Sequence, residues 1–239
     1  MTKLTVPTGP LLACGVVAGP IYLAVTVAQA LTRDGFDPSQ HTWNVMTTGD
    51  LGWIQRSNLF LAGVLTVLFA VGVSRVLQQG KGARWGPRLL GLYGVVAHLT
   101  GAVFVADPQP GFPPGTSPVT TWHGIVHLAA RGGGYVVLLA ASLLIAAWFA
   151  TDGRRRGWAW LALAVVPPIV AGVAHEILPS TMPIVVFAVA LSLTWVWFTT
   201  LAIYLYRYRW GGWQDAVPRD ADPEKKIAAE GGRVDLGNG

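Results

Sequence analysis

Long apolar runs recur along the whole chain, and they limit the folds that it can adopt. Each is close to the ~20 residues that a helix needs to cross a bilayer. Within the bilayer every backbone polar group must be paired inside the protein, and the runs lack the alternation of a membrane β-barrel. The sequence therefore predicts an all-α, polytopic transmembrane helix bundle of about six spans, at about 11–31, 58–78, 89–106, 123–150, 158–177 and 184–206.

The charged residues predict the orientation of these spans. They form only 12% of the chain, and most of the basic ones that precede residue 211 lie in short connections, namely 78–88, 151–157 and 207–210. Positive connections stay in the cytoplasm, so we expect both termini inside and the other three connections outside. The net charge of +5 therefore indicates topology and not a nucleic-acid partner. The predicted location is the cytoplasmic membrane of the cell, as a multi-pass protein.

The chain is predicted to form one membrane domain with a tail. Residues 1–210 hold the six predicted spans, and residues 211–239 are polar and mixed in charge. Such a composition cannot bury enough apolar surface to fold alone, so we expect a disordered cytoplasmic tail. Pro20 and the pair Pro167-Pro168 lie inside predicted spans, where proline removes a backbone donor and should kink or open the helix.

Ionisable groups collect on the predicted outer side of the bundle. Asp107 ends the third span, and Thr120 or Thr121 is a plausible N-cap for the fourth. His123, His127 and Arg131 follow at i, i+4 and i+8, which places a polar stripe ~12 Å long on one helix face. Ionisable groups inside a membrane cost ~2.5–3.5 kcal/mol each and normally face a bundle interior. The sequence predicts a polar pocket between spans three, four and five, open to the outer half.

Further polar residues are expected at this pocket. His98 lies near the middle of span three, His41 and Asp50 in the first outer connection, and His175 and Glu176 at the outer end of span five. The candidate catalytic residues are Asp107, His123, His127 and Glu176. The candidate substrate-binding residues are Arg131, His98, Asp50 and His41.

Each of these candidates also has a structural explanation. His123 and His127 suit two ligands of a zinc ion, completed by His175 with Asp107 or Glu176, but the pair alone is a weak motif, and hydrogen bonds within a helix bundle or a proton relay explain it more readily. Asp107 precedes a proline, so it is either a catalytic acid or a helix stop. Arg131 is suited to an anionic head group, or to an internal pair with Asp107 or Glu176.

Several segments carry a likeness to a known family. They are Pro20 in the first span, then 50–77, 89–115 and WHGIVH at 122–127. In this order they resemble the domain-of-unknown-function 998 family of bacterial multi-pass membrane proteins. The most specific part is the DP-x-x-G segment followed by HG-x-x-H. The resemblance implies an integral membrane protein of six or seven helices, with characteristic positions at Asp107, Pro108, Gly111, Pro114, His123, Gly124 and His127.

Three functions fit this pattern. The first is an enzyme that acts on a lipid-like or isoprenoid substrate from the bilayer, by metal-assisted hydrolysis or by acid/base chemistry such as cyclisation. In the acid/base form, Asp107 or Glu176 would donate the proton. The second is a non-catalytic membrane module that binds a lipid or small molecule. The third, a proton-coupled transporter, also needs ionisable groups on the cytoplasmic half, where the sequence offers only the basic residues of the connections. The sequence leaves open whether the protein is an enzyme, and it does not indicate an oligomeric state.

Overall fold

The described part of the chain is built from helices. The computed structural model describes residues 6–151, 156–177 and 184–214, without the side chains of 156, 172, 175–177 and 209–214. Over these residues it has no β-strand, so the prediction of an all-α membrane bundle is confirmed. The last described helix extends to Gln214, so it includes the first four residues of the predicted tail, and the rest of that tail lies outside the described residues. The helices are α1 (Thr8–Thr32), α2 (Gly52–Val76), α3 (Gly80–Tyr93), α4 (Thr100–Val103), α5 (Trp122–Ala150), α6 (Arg156–Leu163), α7 (Val166–Ile177) and α8 (Ile184–Gln214).

Four of the helices are long and apolar enough to cross a membrane unaided. These are α1, α2, α5 and the part of α8 from Ile184 to Tyr208. Each of the other two predicted spans corresponds to an interrupted rod, that is, to two helices with an irregular segment between them. α3 and α4 are joined through a π-helical segment, Gly94–Leu99, and α6 and α7 are separated by a short break. The described rods therefore agree in number with the predicted spans, although two of them are irregular.

Two helices begin six or more residues before the predicted spans. α2 begins at Gly52, after a turn in which Gly49 has a φ of +69° and accepts a hydrogen bond from the Gly52 amide. α3 begins at Gly80, so most of the basic connection predicted between spans two and three is helical. α3 packs closely against α5 at Gly82. A Cβ at this position would overlap the backbone oxygen of Leu144 in α5, so the contact needs glycine. The basic side chains of α3, Lys81, Arg84 and Arg88, remain exposed.

The prolines inside the predicted spans have different effects. The break between α6 and α7 lies at residues 164 and 165, directly before Pro167-Pro168. Proline restricts the residue before it and offers no amide, so the predicted opening of this helix is confirmed. α1, in contrast, continues through Pro20.

Small residues allow close packing in the centre of the bundle. α1 packs against α2 and α8, and α3 packs against α5 and α2. A Cβ at Gly15 would overlap the ring of Phe69, and one at Gly19 would overlap Thr199. Helices in membranes associate largely through such close contacts. The side chains buried between them include Phe69, Leu138, Phe149, Trp195 and Phe198.

Two long segments fold over one end of the bundle, which we call the loop end. They are residues 33–51, with a short 3-10 helix at Trp43–Thr47, and residues 104–121. Arg33 donates to the carbonyls of Met46 and Thr48 at 2.5 and 2.7 Å, and its guanidinium lies 4.9 Å from the ring centroid of Phe112. The segments are therefore held to each other as well as to the helices. The opposite end, which carries Arg75, Lys81, Arg84 and Arg88, is the basic end.

His41 also ties the two segments together. Its Nδ1 accepts the amide hydrogen of Asp37 at 2.9 Å, so its Nε2–H donates to the carbonyl of Pro110, also at 2.9 Å. Asp37 itself accepts hydrogen bonds from the hydroxyl and amide of Ser39 and from Gln40, at 2.6 to 2.8 Å. These bonds, chiefly those from Ser39, hold the pKa of Asp37 below its ordinary value.

Candidate functional site

Asp107 binds the residue that caps the next helix of the chain, α5. One of its oxygens accepts the hydroxyl of Thr121 at 2.6 Å, and the amide of Thr121 lies 3.1 Å from the other. Thr121 in turn accepts the Gly124 amide at 3.1 Å, which makes Thr121 the N-cap of α5. A Cβ at Gly124 would overlap the carboxylate of Asp107. Glycine is therefore required here for the carboxylate to approach the first turn.

His127 lies one turn further along α5 and is buried. Its Nδ1 is 2.7 Å from the carbonyl oxygen of Phe104, at the end of α4. A carbonyl only accepts, so Nδ1 carries the hydrogen and Nε2 of the neutral ring has the lone pair. The bond joins α5 to the start of the 104–121 segment and orients the ring.

His123 is placed differently from its predicted partner. It is exposed, its ring centroid lies 4.0 Å from that of Trp122, and its Nδ1 is 3.3 Å from the hydroxyl of Thr121. The predicted polar stripe on α5 therefore divides. His123 lies at the surface of the loop end, whereas His127 and Arg131 face cavities inside the bundle.

The larger cavity, which we call the vestibule, has a volume of about 360 Å³. It lies between the two loop-end segments and α5. The polar side chains of its lining include Asn44, Asp107, His127 and Arg131, and the apolar ones include Pro118, Val119 and Leu128. The structure thus brings three of the predicted site residues to one cavity, together with Asn44, which the sequence did not single out.

A smaller cavity of about 30 Å³ lies deeper, and we call it the inner chamber. It shares Asn44, His127 and Arg131 with the vestibule. Its volume suits one or two water molecules. The remaining lining residues are Tyr22, Gln55, Leu59, Tyr93, Ala97, His98, Tyr135 and Leu191.

Aromatic rings enclose His98 in the π-helical segment. The centroids of Tyr93, Trp195 and Tyr22 lie 4.9, 5.2 and 6.2 Å from that of the His98 ring. His98 is therefore a wall of the inner chamber and is buried in the bundle centre. Single-turn π-helical segments are often found at functional sites.

Of the other predicted residues whose side chains the structure describes, none lines the vestibule. His41 uses both ring nitrogens to hold the loop end, and Asp50 is exposed on its surface. The side chains of His175 and Glu176 lie outside the described ones. Among the described residues, no three His, Cys, Asp or Glu side chains are grouped to hold a metal ion. A zinc site at His123, His127 and His175 stays a prediction.

The structure also reveals a buried polar cluster between α1 and α2. Gln29 donates to the Gln55 carbonyl oxygen at 2.7 Å, and Gln55 donates to the Thr26 hydroxyl at 3.3 Å. Asn58 donates to Thr26 at 3.2 Å and to the Tyr22 carbonyl at 3.1 Å. The sequence analysis missed this cluster because the second span was predicted to begin at 58. Its signal was the presence of amides within apolar helices, which need partners on a neighbouring helix.

Comparison with known proteins places the chain in a family. No curated protein and no solved structure matches it. The model of the family described as "Protein of unknown function (DUF998)" matches residues 16–204, from α1 to α8. The matched region includes both loop-end segments, the vestibule and the inner chamber. This membrane-helical protein therefore belongs to the DUF998 family.

Proposed function

We propose that the protein is a membrane module that binds a lipid-like amphiphile at its loop end. The observation that supports this most is that both polar and apolar side chains line the vestibule. The polar head of the ligand would occupy the vestibule, and its apolar part would lie along Val119 and Leu128, which are exposed. A volume of about 360 Å³ suits a head group, so the chain of such a ligand would remain outside.

The polar side chains that line the vestibule favour a head group that carries a phosphate or carboxylate. Arg131 supplies a guanidinium, whose planar fork matches these anions. Its guanidinium carbon lies 5.4 Å from the ring centroid of Phe187 in α8, which orients it. Asn44 adds an amide. The Asp107 carboxylate in the same lining accepts hydrogen bonds from Thr121, the N-cap of α5, so its charge is stabilised by the N-terminus of that helix.

Mass spectrometry of the protein purified in mild detergent tests this proposal. Leu128→Trp should fill the apolar side of the vestibule and reduce the co-purified amphiphile at least tenfold. Leu143→Trp is the matched control, because both leucines lie on α5 and both are 48% exposed. Equal amounts of bound amphiphile in the two variants, or none in the wild-type protein, would contradict the proposal.

One observation favours an enzyme as a second candidate. The bond from His127 Nδ1 to the Phe104 carbonyl leaves Nε2 as a base beside the vestibule. Acid/base chemistry on a lipid-like or isoprenoid substrate would then use His127. The inner chamber, at about 30 Å³, is too small for an isoprenoid chain, so the reaction would take place in the vestibule. A variant His127→Gln that keeps the bound amphiphile but forms no product from it would support this candidate, and unchanged product would exclude it.

A further inference from the structure

Apart from the vestibule and the inner chamber, a groove lies on the outside of the bundle, between α2 and α4. Its volume is about 510 Å³, and it is lined by Trp53, Arg56, Ser57, Phe60, Ala102 and Val103. None of these six residues lines the vestibule or the inner chamber. The groove is therefore separate from the proposed ligand site.

Arg56 is the charged group of this groove. Its Nε–H donates to the carbonyl of Ala102 at 3.0 Å. That carbonyl is in the last turn of α4, and the amide of Ala106, which would continue the helix, donates to Thr47 instead. Arg56 thus satisfies a carbonyl at the helix end, and this bond fixes the guanidinium against the groove. The Nη atoms take no part in it.

The guanidinium is exposed in the groove without a neutralising acid. Among the described residues, no carboxylate forms an ion pair with Arg56. It lies ~6 Å along α2 from Gly52, at a rise of 1.5 Å per residue. An arginine this near the end of a membrane-spanning helix is at the depth where lipid head groups meet the hydrocarbon.

The walls of the groove match the two parts of a lipid. Trp53 lies in the first turn of α2, where tryptophan is typical of the membrane interface. Phe60 follows Arg56 by four residues and lies on the same face, deeper in the membrane. Trp53, Phe60 and Val103 are all strongly exposed. From its outer to its deeper end the groove therefore offers an interface aromatic, then a cation and a hydroxyl, and then apolar surface.

We propose that this groove binds one phospholipid with an anionic head group. Its phosphate would accept hydrogen bonds from the Nη atoms of Arg56 and from the hydroxyl of Ser57. Val103 would lie beside the head group, and one acyl chain would lie along Phe60. Arginine is suited to this role because its fork binds two phosphate oxygens while Nε remains bound to Ala102.

The test is native mass spectrometry of the whole protein after partial removal of lipid. The probes are phosphatidylglycerol and phosphatidylcholine, added separately to the delipidated protein. With the vestibule filled by Leu128→Trp, the protein should retain one phosphatidylglycerol at concentrations at least tenfold below those needed for phosphatidylcholine. Arg56→Gln should lose this preference.

A second variant keeps the test informative if Arg56→Gln does not fold, because Arg56 also binds Ala102. Val103→Trp should fill the groove and displace the lipid while it leaves that bond in place. Val196→Trp is the matched control on α8, since Val103 and Val196 are 63% and 54% exposed. The proposal is overturned if Val103→Trp and Val196→Trp retain the lipid equally. It is also overturned if the groove is occupied by a second copy of the chain, seen as a dimer that Val103→Trp abolishes. The Leu128→Trp variant tests the vestibule separately.

Discussion

A carboxylate that the sequence offers as a catalytic acid holds two segments of the chain together. Asp107 lies after α4, and it binds Thr121 at the start of α5. The interaction explains why glycine follows His123, because Gly124 admits the carboxylate. At the scale of single residues, the HG-x-x-H segment therefore forms the first turn of α5. Its second histidine, His127, binds the Phe104 carbonyl and so also joins α5 to the 104–121 segment.

Replacement of Gly124 by alanine should weaken this junction. The added Cβ would overlap the Asp107 carboxylate, and we expect a loss of about 1–3 kcal/mol in stability, as for other overpacked sites. Gly132→Ala is the control on the same helix, because a Cβ there meets no atom within 4 Å. The control should be neutral or slightly stabilising, since alanine favours a helix. Thermal unfolding in detergent measures both. Equal unfolding temperatures for the two variants would show that Asp107 does not need the space.

At the scale of helices, polar contacts decide how α1 and α2 meet. The buried cluster of Thr26, Gln29, Gln55 and Asn58 links them near the loop end of the bundle, and Gln55 also lines the inner chamber. A hydrogen bond between buried side chains contributes modestly, but a buried partner that is left alone costs more. The cluster therefore sets the register between the two helices.

A double-mutant cycle measures this contribution. Gln55→Leu removes the 2.7 Å acceptor of the Gln29 amide, which keeps only a long contact of 3.4 Å with the carbonyl of Val25, so we expect a loss of about 1–3 kcal/mol. Gln29→Leu should be less destabilising, because the Gln55 carbonyl oxygen keeps contacts of 3.4 Å with Thr26 and Asn58. The double variant Gln29→Leu/Gln55→Leu should regain much of the loss, because no unpaired amide remains from this pair. Additive losses in the urea or thermal unfolding of the three variants would mean that the two amides are not coupled.

At the scale of the whole molecule, the two ends of the bundle differ in charge and in the segments that fold over them. The loop end carries the folded segments and the vestibule, and the basic end carries Arg75, Lys81, Arg84 and Arg88. The rule that positive connections stay inside predicts that the basic end faces the cytoplasm. The vestibule would then open to the outer side of the membrane.

Cysteine labelling in intact cells tests this orientation. In a Cys14→Ser background, which removes the single native cysteine, Ser117→Cys places a thiol at the exposed loop end and Lys81→Cys places one at the basic end. A maleimide that cannot cross the membrane should label Ser117→Cys directly and Lys81→Cys only after permeabilisation. The reverse pattern would mean that the vestibule faces the cytoplasm.

The sequence by itself determined the features that depend on neighbouring residues. Apolar length predicted the rods, Pro167-Pro168 predicted the break before α7, and Thr121 was one of two predicted caps. A membrane helix pairs its own backbone groups, so its existence can be read locally. Only the tertiary structure decided which side chains meet. It separated His123 from His127, turned Asp107 toward Thr121, and paired Gln29 with Gln55. The physical reason is that these polar groups form hydrogen bonds with residues from other segments, and the local sequence pattern does not identify those partners.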